Sequence, residues 1–140
     1  MGVDISARCD AIEKCYEFML AYAGQGLSGD EGSSSSGQVR DYLERAADAV
    51  SGLAQAYQAA AKQENLDHAE RYSAFLGVLE RDARDSLAAI QLVLAQTTIS
   101  SQLIDNLNAS IHLRALLTDL FLIDEILKPQ RTREKSATPE

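Results

Sequence analysis

The sequence predicts an all-α protein, an up-down-up-down four-helix bundle, and three observations carry that reading. No proline precedes Pro129, and a proline inside a helix costs about 3 kcal/mol through a lost hydrogen bond and a steric clash. Leu, Ile and Ala dominate the apolar residues where a sheet protein would draw on Val, Thr and aromatics, which are only 6% of the chain. Apolar residues also recur at alternating spacings of three and four, the period of one helix face. At 140 residues the chain is the size of one domain, and such a domain buries roughly two thirds of its unfolded surface. The expectation is one bundle domain over 1–128, with a flexible Gly/Ser-rich loop at 26–37 and a disordered tail at 129–140.

The first helix is marked by Ile5, Cys9, Ile12, Tyr16, Met19 and Ala23, which fall on one stripe, widened by Cys15, Phe18 and Tyr22. It should close at Gly24 or Gly26, because glycine readily takes the left-handed conformation that ends helices. The stretch "GLSGDEGSSSSGQVR" follows, longer than the 2 to 8 residues such a turn typically needs. Its composition predicts a tolerated, flexible insertion.

A second helix begins after Gly37 and repeats the pattern at Val39, Leu43, Ala46, Val50, Leu53, Tyr57 and Ala60. It stops near "QENLDH", where Asn65 or Asp67 is placed to cap a third helix, with Glu70 completing a capping box after Asp67. That third helix carries Tyr72, Leu76, Leu79, Ala83, Leu87, Ile90 and Leu94 on one face, and Glu80 and Arg84 are spaced as an i, i+4 ion pair. "TTISS" interrupts it, and Ser100 or Ser101 should cap a fourth helix over about 102–127. There Ala109, Leu113, Leu116, Leu120, Ile123 and Leu127 form a stripe, yet Ile104, Leu107, Ile111, Leu117, Phe121, Leu122 and Ile126 carry apolar surface around the other sides. A helix apolar nearly all round is buried on more than one side. Pro129 is expected to end it.

Charge narrows the partners. The net charge is −8, with nine basic and nineteen acidic residues up to Leu127 and four basic and two acidic from Lys128 onward. An acidic body repels nucleic-acid phosphates and anionic membrane surfaces, so neither is expected as a partner. Cys9 and Cys15, six apart, are separated by about 9 Å along a helix and cannot bond to each other. Two such thiols, with neither a secretory signal nor a long apolar run, predict a cytoplasmic setting.

Chemistry is sparse. "GDEGSSSSGQ" lacks the lysine of a phosphate-binding loop and places Asp30 and Glu31 where a phosphate would sit. Neither His68 nor His112 has a glutamate three residues before it, as a di-iron bundle requires. Asp10, Glu13, Glu17, Asp41, Glu44 and Asp48 read as solvated faces rather than ligands. "SIHLRALLTDL", around His112, is superficially similar to the phosphorylated-histidine helix of sensor kinases, but alignment needs a one-residue gap, which turns the rest of a helix by about 100°. Cys9 and Cys15 belong with the core stripe, away from the cationic surroundings that activate a thiol. No catalytic, cofactor-binding or metal-ligating residue is expected.

What remains is a surplus of apolar surface on the last helix. It predicts a non-enzymatic interaction protein (adaptor, regulator or dedicated chaperone) that self-associates as a homodimer and binds a protein partner. The expected interface is Leu113, Leu117, Leu120, Phe121, Leu122 and Ile126. The alternative is a bundle that carries a small ligand in a cavity lined by Tyr16, Tyr22, Tyr57 and Tyr72. A metal-binding or phosphotransfer bundle ranks behind both.

Overall fold

A computed structural model describes residues 2–29, 36–64 and 67–137. Among them the chain is all-helical, with six segments in place of the four expected: α1 (Gly2–Ala23), α2 (Ser36–Ser51), α3 (Leu53–Glu64), α4 (Ala69–Leu94), α5 (Ser101–Ala109) and α6 (His112–Ala137). Two of the expected helices are each broken once, at Gly52 and at Ser110–Ile111.

The break at Gly52 comes from a distant side chain. Arg8 of α1 reaches across and donates to the carbonyl oxygens of Asp48 (3.2 Å) and Ala49 (2.9 Å) in the last turn of α2. A cation there answers the negative end of the helix dipole. A Cβ on residue 52 would stand 2.9 Å from the Arg8 guanidinium, so glycine leaves room for that approach. The same device closes α4, where Arg40 donates to the carbonyls of Leu94, Gln96 and Thr97. Each arginine ties the end of one helix to another helix.

The second break is backbone strain. Ile111 has φ 61° and is exposed, and a β-branched residue in the left-handed region is a true outlier. Leu107 and Ile104 of α5 and Leu113 and Leu116 of α6 are all buried. A straight helix would carry only one of these two sets onto the core, so the kink lets both segments pack.

Helix α1 packs on α2, α3, α5 and α6, and α4 packs on α2, α3, α5 and α6. Among the described residues, α1 does not approach α4, nor do α2 and α3 approach α5 and α6, within 8 Å between Cα atoms. The core lies between, built on Ile12, Met19, Leu43, Leu53, Leu79 and Leu116, all buried. Its line on α1 is Ile12, Cys15, Met19 and Tyr22, so Cys15 moves from the flank of the expected stripe to its centre while Ile5, Cys9 and Tyr16 are half-buried. On α4 the buried line slides likewise, with Ser86 and Val93 inside and Leu87 and Leu94 half-buried.

The connection after α1 is less loose than its composition suggests. Gly26 has φ 69°, a conformation glycine takes without penalty. Leu27 N–H then donates to Ser101 Oγ (2.9 Å), Ser101 N–H donates to Leu27 O (2.9 Å), and Ser101 Oγ donates to Tyr22 O (2.6 Å). Leu27, within the stretch expected to be a flexible loop, is thus hydrogen-bonded to the start of α5; residues 30–35 lie outside the described residues. Ser100 caps α5 by accepting from Leu103 N–H, as expected. Asp67 does not cap α4, which starts from a left-handed His68 without a side-chain cap, and Asn65 lies outside the described residues.

The end of the chain also departs from expectation. Helix α6 continues through Pro129 to Ala137. Pro129 forfeits one main-chain hydrogen bond, to the Glu125 carbonyl, and the residues after it include Gln, Arg, Glu and Lys, which favour helix. The expected disordered tail is therefore helical as far as Ala137.

Candidate interaction surface

The six residues expected at an interface divide into two groups. Leu113, Leu117 and Leu120 are only 3%, 5% and 1% exposed and belong to this chain's own core, which removes them from any surface a partner meets. Their spacing is that of the inward face of α6, shared with Leu116, Ile123 and Leu127. Phe121, Leu122 and Ile126 are 55%, 50% and 45% exposed. Consecutive helical residues differ by about 100°, so Phe121 and Leu122 point to different sides of α6.

Phe121 stands over a groove of about 460 Å³ between α1 and α6. Tyr16 and Leu20 of α1 form its other apolar wall, with Leu117 beneath. Leu20 is itself 53% exposed. Sequence reasoning passed over Leu20 because it lies off the core stripe; a large apolar residue at an off-stripe position is the signal that would have found it. Isolated exposed apolar residues are ordinary, but two large ones facing each other across one groove form a patch.

The groove has a charged rim of Glu13, Glu17 and Arg114. Burial, and then the nearby Asp10, Glu17 and Asp124 carboxylates, hold the Glu13 carboxyl above its ordinary pKa. Among the described residues the ion pairs are Arg8–Asp4 (3.0 Å) and Arg84–Glu80 (3.2 Å); the second is the pair expected from spacing. Asp10, Glu13, Glu17 and Asp124 have no cation within ion-pair distance among the described residues. Among the described residues the groove rim thus carries two glutamates and one arginine, none of them within ion-pair distance of an opposite charge.

Below the groove lies a short hydrogen-bond chain. Tyr57, buried on α3, donates to Asp124 Oδ1 of α6 (2.7 Å), and its oxygen is 3.6 Å from Cys9 Sγ of α1. Burial, reinforced by the bond to Asp124, pushes the Tyr57 hydroxyl pKa upward. The Cys9 thiol is pushed up to about 11, chiefly by burial, with the Tyr57 hydrogen bond opposing and Asp124, Glu13 and Asp10 adding. A thiol so placed stays protonated at neutral pH and is a poor nucleophile. The chain ties three helices together.

The remaining sequence candidates are dispersed. Tyr22 is buried and donates to Ile99 O (2.6 Å); Tyr16 is on the α1–α6 groove; Tyr72 lines a separate cleft of about 320 Å³ with Gln58, Lys62 and Leu76. The four tyrosines therefore do not share one cavity. His112 and His68 are exposed. Among the described residues no group of three or more His, Cys, Asp or Glu side chains is arranged to hold a metal ion, and no helix is long and apolar enough to cross a membrane.

No family model, curated protein or solved structure matches this chain. The functional reading rests on the surface itself.

Proposed function

We propose that this protein is a non-enzymatic interaction protein, an up-down-up-down four-helix bundle that self-associates through the outer side of its last helix. The bundle reading takes α2 with α3, and α5 with α6, as two interrupted helices. Four helices then stand at the corners of a square, each touching its two neighbours and not the diagonal one. The end of α1, the end of α4 and the start of α5 meet at one end of the square, through Tyr22–Ile99 and Leu27–Ser101, which supports alternating directions.

One observation carries the functional reading: Phe121, Leu122 and Ile126 leave large apolar side chains in water on one helix, and Phe121 faces exposed Leu20 of α1 across a groove. Covering them removes apolar area from solvent at about 25 cal/mol per Å², and a two-fold dimer covers the same patch twice. The native mass tests the reading. The expected result is a dimer that becomes a folded monomer on Leu122→Asp; a wild-type monomer across micromolar concentrations would overturn it.

A further inference from the structure

We infer that Asp82 of α4 and Asp119 of α6 share one proton across the seam between their helices, and that loss of this proton opens the seam locally. The device is a proton-operated clasp within one chain, and it needs no second copy. Two carboxyl groups hydrogen-bond to each other only while one of them carries a proton, because an ionised carboxylate has no donor. Asp119 and Asp82 are in such contact, from two helices packed against each other. Both residues are half-buried, and Asp119 Oδ2 is closed off from water with no hydrogen-bond partner. Ionisation would leave that oxygen with neither solvent nor donor.

The surroundings leave the proton without a substitute. On α6, Ala115, Asp119, Leu122 and Ile126 follow at spacings of four, three and four, which is one side of a helix. Asp119 is the ionisable member of that otherwise apolar line. Of the elements packed against α6, α4 supplies Asp82, the charged group that acts on Asp119; its chain neighbours Arg81 and Asp85 are exposed. Glu13 and Glu17 of α1 line a different groove, and Asp105 of α5 is exposed. Arg114, on α6 itself, borders a hollow of about 280 Å³ together with Asp119, Ile111, Ala115 and Thr118. Among the described residues it makes no ion pair with Asp119. Burial, followed by the hydrogen bond and the charge of Asp82, holds the Asp119 carboxyl far above the ordinary carboxylate range, at about 7.

When the proton leaves to water, two like charges stand in contact in partly buried surroundings, where their repulsion is several-fold stronger than in bulk solvent. The helices relieve it by parting at that level. The break at Ser110–Ile111, about two turns before Asp119, lets α6 tilt separately from α5. On the other side, the Tyr57–Asp124 bond keeps α6 tied to α3. Opening is thereby confined to the stretch between these two points. Ser86, one turn from Asp82 on α4, buries a hydroxyl that has no partner, so the seam carries a second unsatisfied polar group where it is to open.

Amide hydrogen exchange on the full chain, corrected for the intrinsic pH dependence of exchange, tests the clasp alongside the carboxyl carbon shift of Asp119. The expected result is that protection over residues 79–89 and 113–120 falls at least about tenfold between about pH 5.5 and about pH 8.5, while protection in α2 falls less. The Asp119 carbon should titrate well above the ordinary carboxylate range. In Asp119→Asn the amide donates to Asp82 without a like charge, so protection should hold at both ends of the range. Asp82→Asn should hold it likewise and return the Asp119 titration toward its ordinary value. Unchanged wild-type protection overturns the clasp, as does a fall spread equally into α2, an equal fall in wild type and in either variant, or an Asp119 carbon that titrates in the ordinary range. The wild-type readings decide by themselves if a variant does not fold.

Discussion

Gly52 and Arg8 show how one residue decides where a helix breaks. Gly52→Ala gains roughly 0.5 to 1 kcal/mol from chain entropy and helix propensity, while its Cβ would stand 2.9 Å from the Arg8 guanidinium, the far end of a flexible side chain that shifts to make room. That shift weakens the two bonds to the Asp48 and Ala49 carbonyls without abolishing them, so the expected net result is a urea midpoint close to that of wild type. In an Arg8→Ala background the same substitution should become stabilising. Ser101→Ala removes the Ser101 Oγ bonds to Tyr22 O and from Leu27 N–H; the expected loss is about 1 to 3 kcal/mol, read from the denaturant midpoint. A third residue gives a pH signature. Asp119 of α6 is pushed up to about 7 from 3.8, first by burial and then by a hydrogen bond and charge repulsion from Asp82 of α4. The folded protein therefore binds the proton more tightly than the unfolded chain between these values, so the Asp119 contribution to stability is full below 3.8 and is lost as the pH rises through 7. Asp119→Asn should flatten the fall in urea midpoint between those two pH values; an unchanged slope would assign the fall to other groups.

At the scale of elements, the sequence made the helical stripes legible and left their interruptions hidden. Six of the seven stripe positions from Val39 to Ala60 are buried, all but Ala60, although the helix carrying them is broken at Gly52. A stripe reports which face is inward, and a break that keeps that face inward does not disturb it. The arginines that close α2 and α4 act from 40 to 57 residues away in sequence, so no local pattern announces them. Likewise the surplus of apolar residues on the fourth helix was legible, but its division was not. Leu117 and Phe121 differ by one turn, and only packing decides that the first is core and the second is surface. The kink at Ile111 gives this scale its own prediction. An exposed isoleucine in the left-handed conformation costs roughly 1 to 2 kcal/mol, and asparagine tolerates that conformation. Ile111→Asn is expected to raise the unfolding free energy by about 0.5 to 1 kcal/mol; a loss of similar size would mean that the isoleucine side chain is covered in the assembled protein.

For the whole molecule, the division of α6 into an inner and an outer side separates two kinds of failure. Leu122→Asp and Phe121→Asp should yield folded monomers by circular dichroism and sedimentation, whereas Leu117→Asp buries a charge and should unfold the protein, with a cost of several kcal/mol. A dimeric, folded Leu117→Asp protein would contradict the buried position of that residue. The burial of Cys15 at the centre of α1 has a consequence of a different kind. Its thiol is held at about 12 by burial, so reagents that need a thiolate meet neither the atom nor its reactive form while the helices are closed. Modification of Cys15 therefore requires α1 to leave its neighbours, and in the regime where reclosing outpaces labelling its rate reports the equilibrium population of the opened molecule. The protein carries an internal clock for its own opening, readable in water without denaturant, with half-buried Cys9 on the same helix as the faster reference.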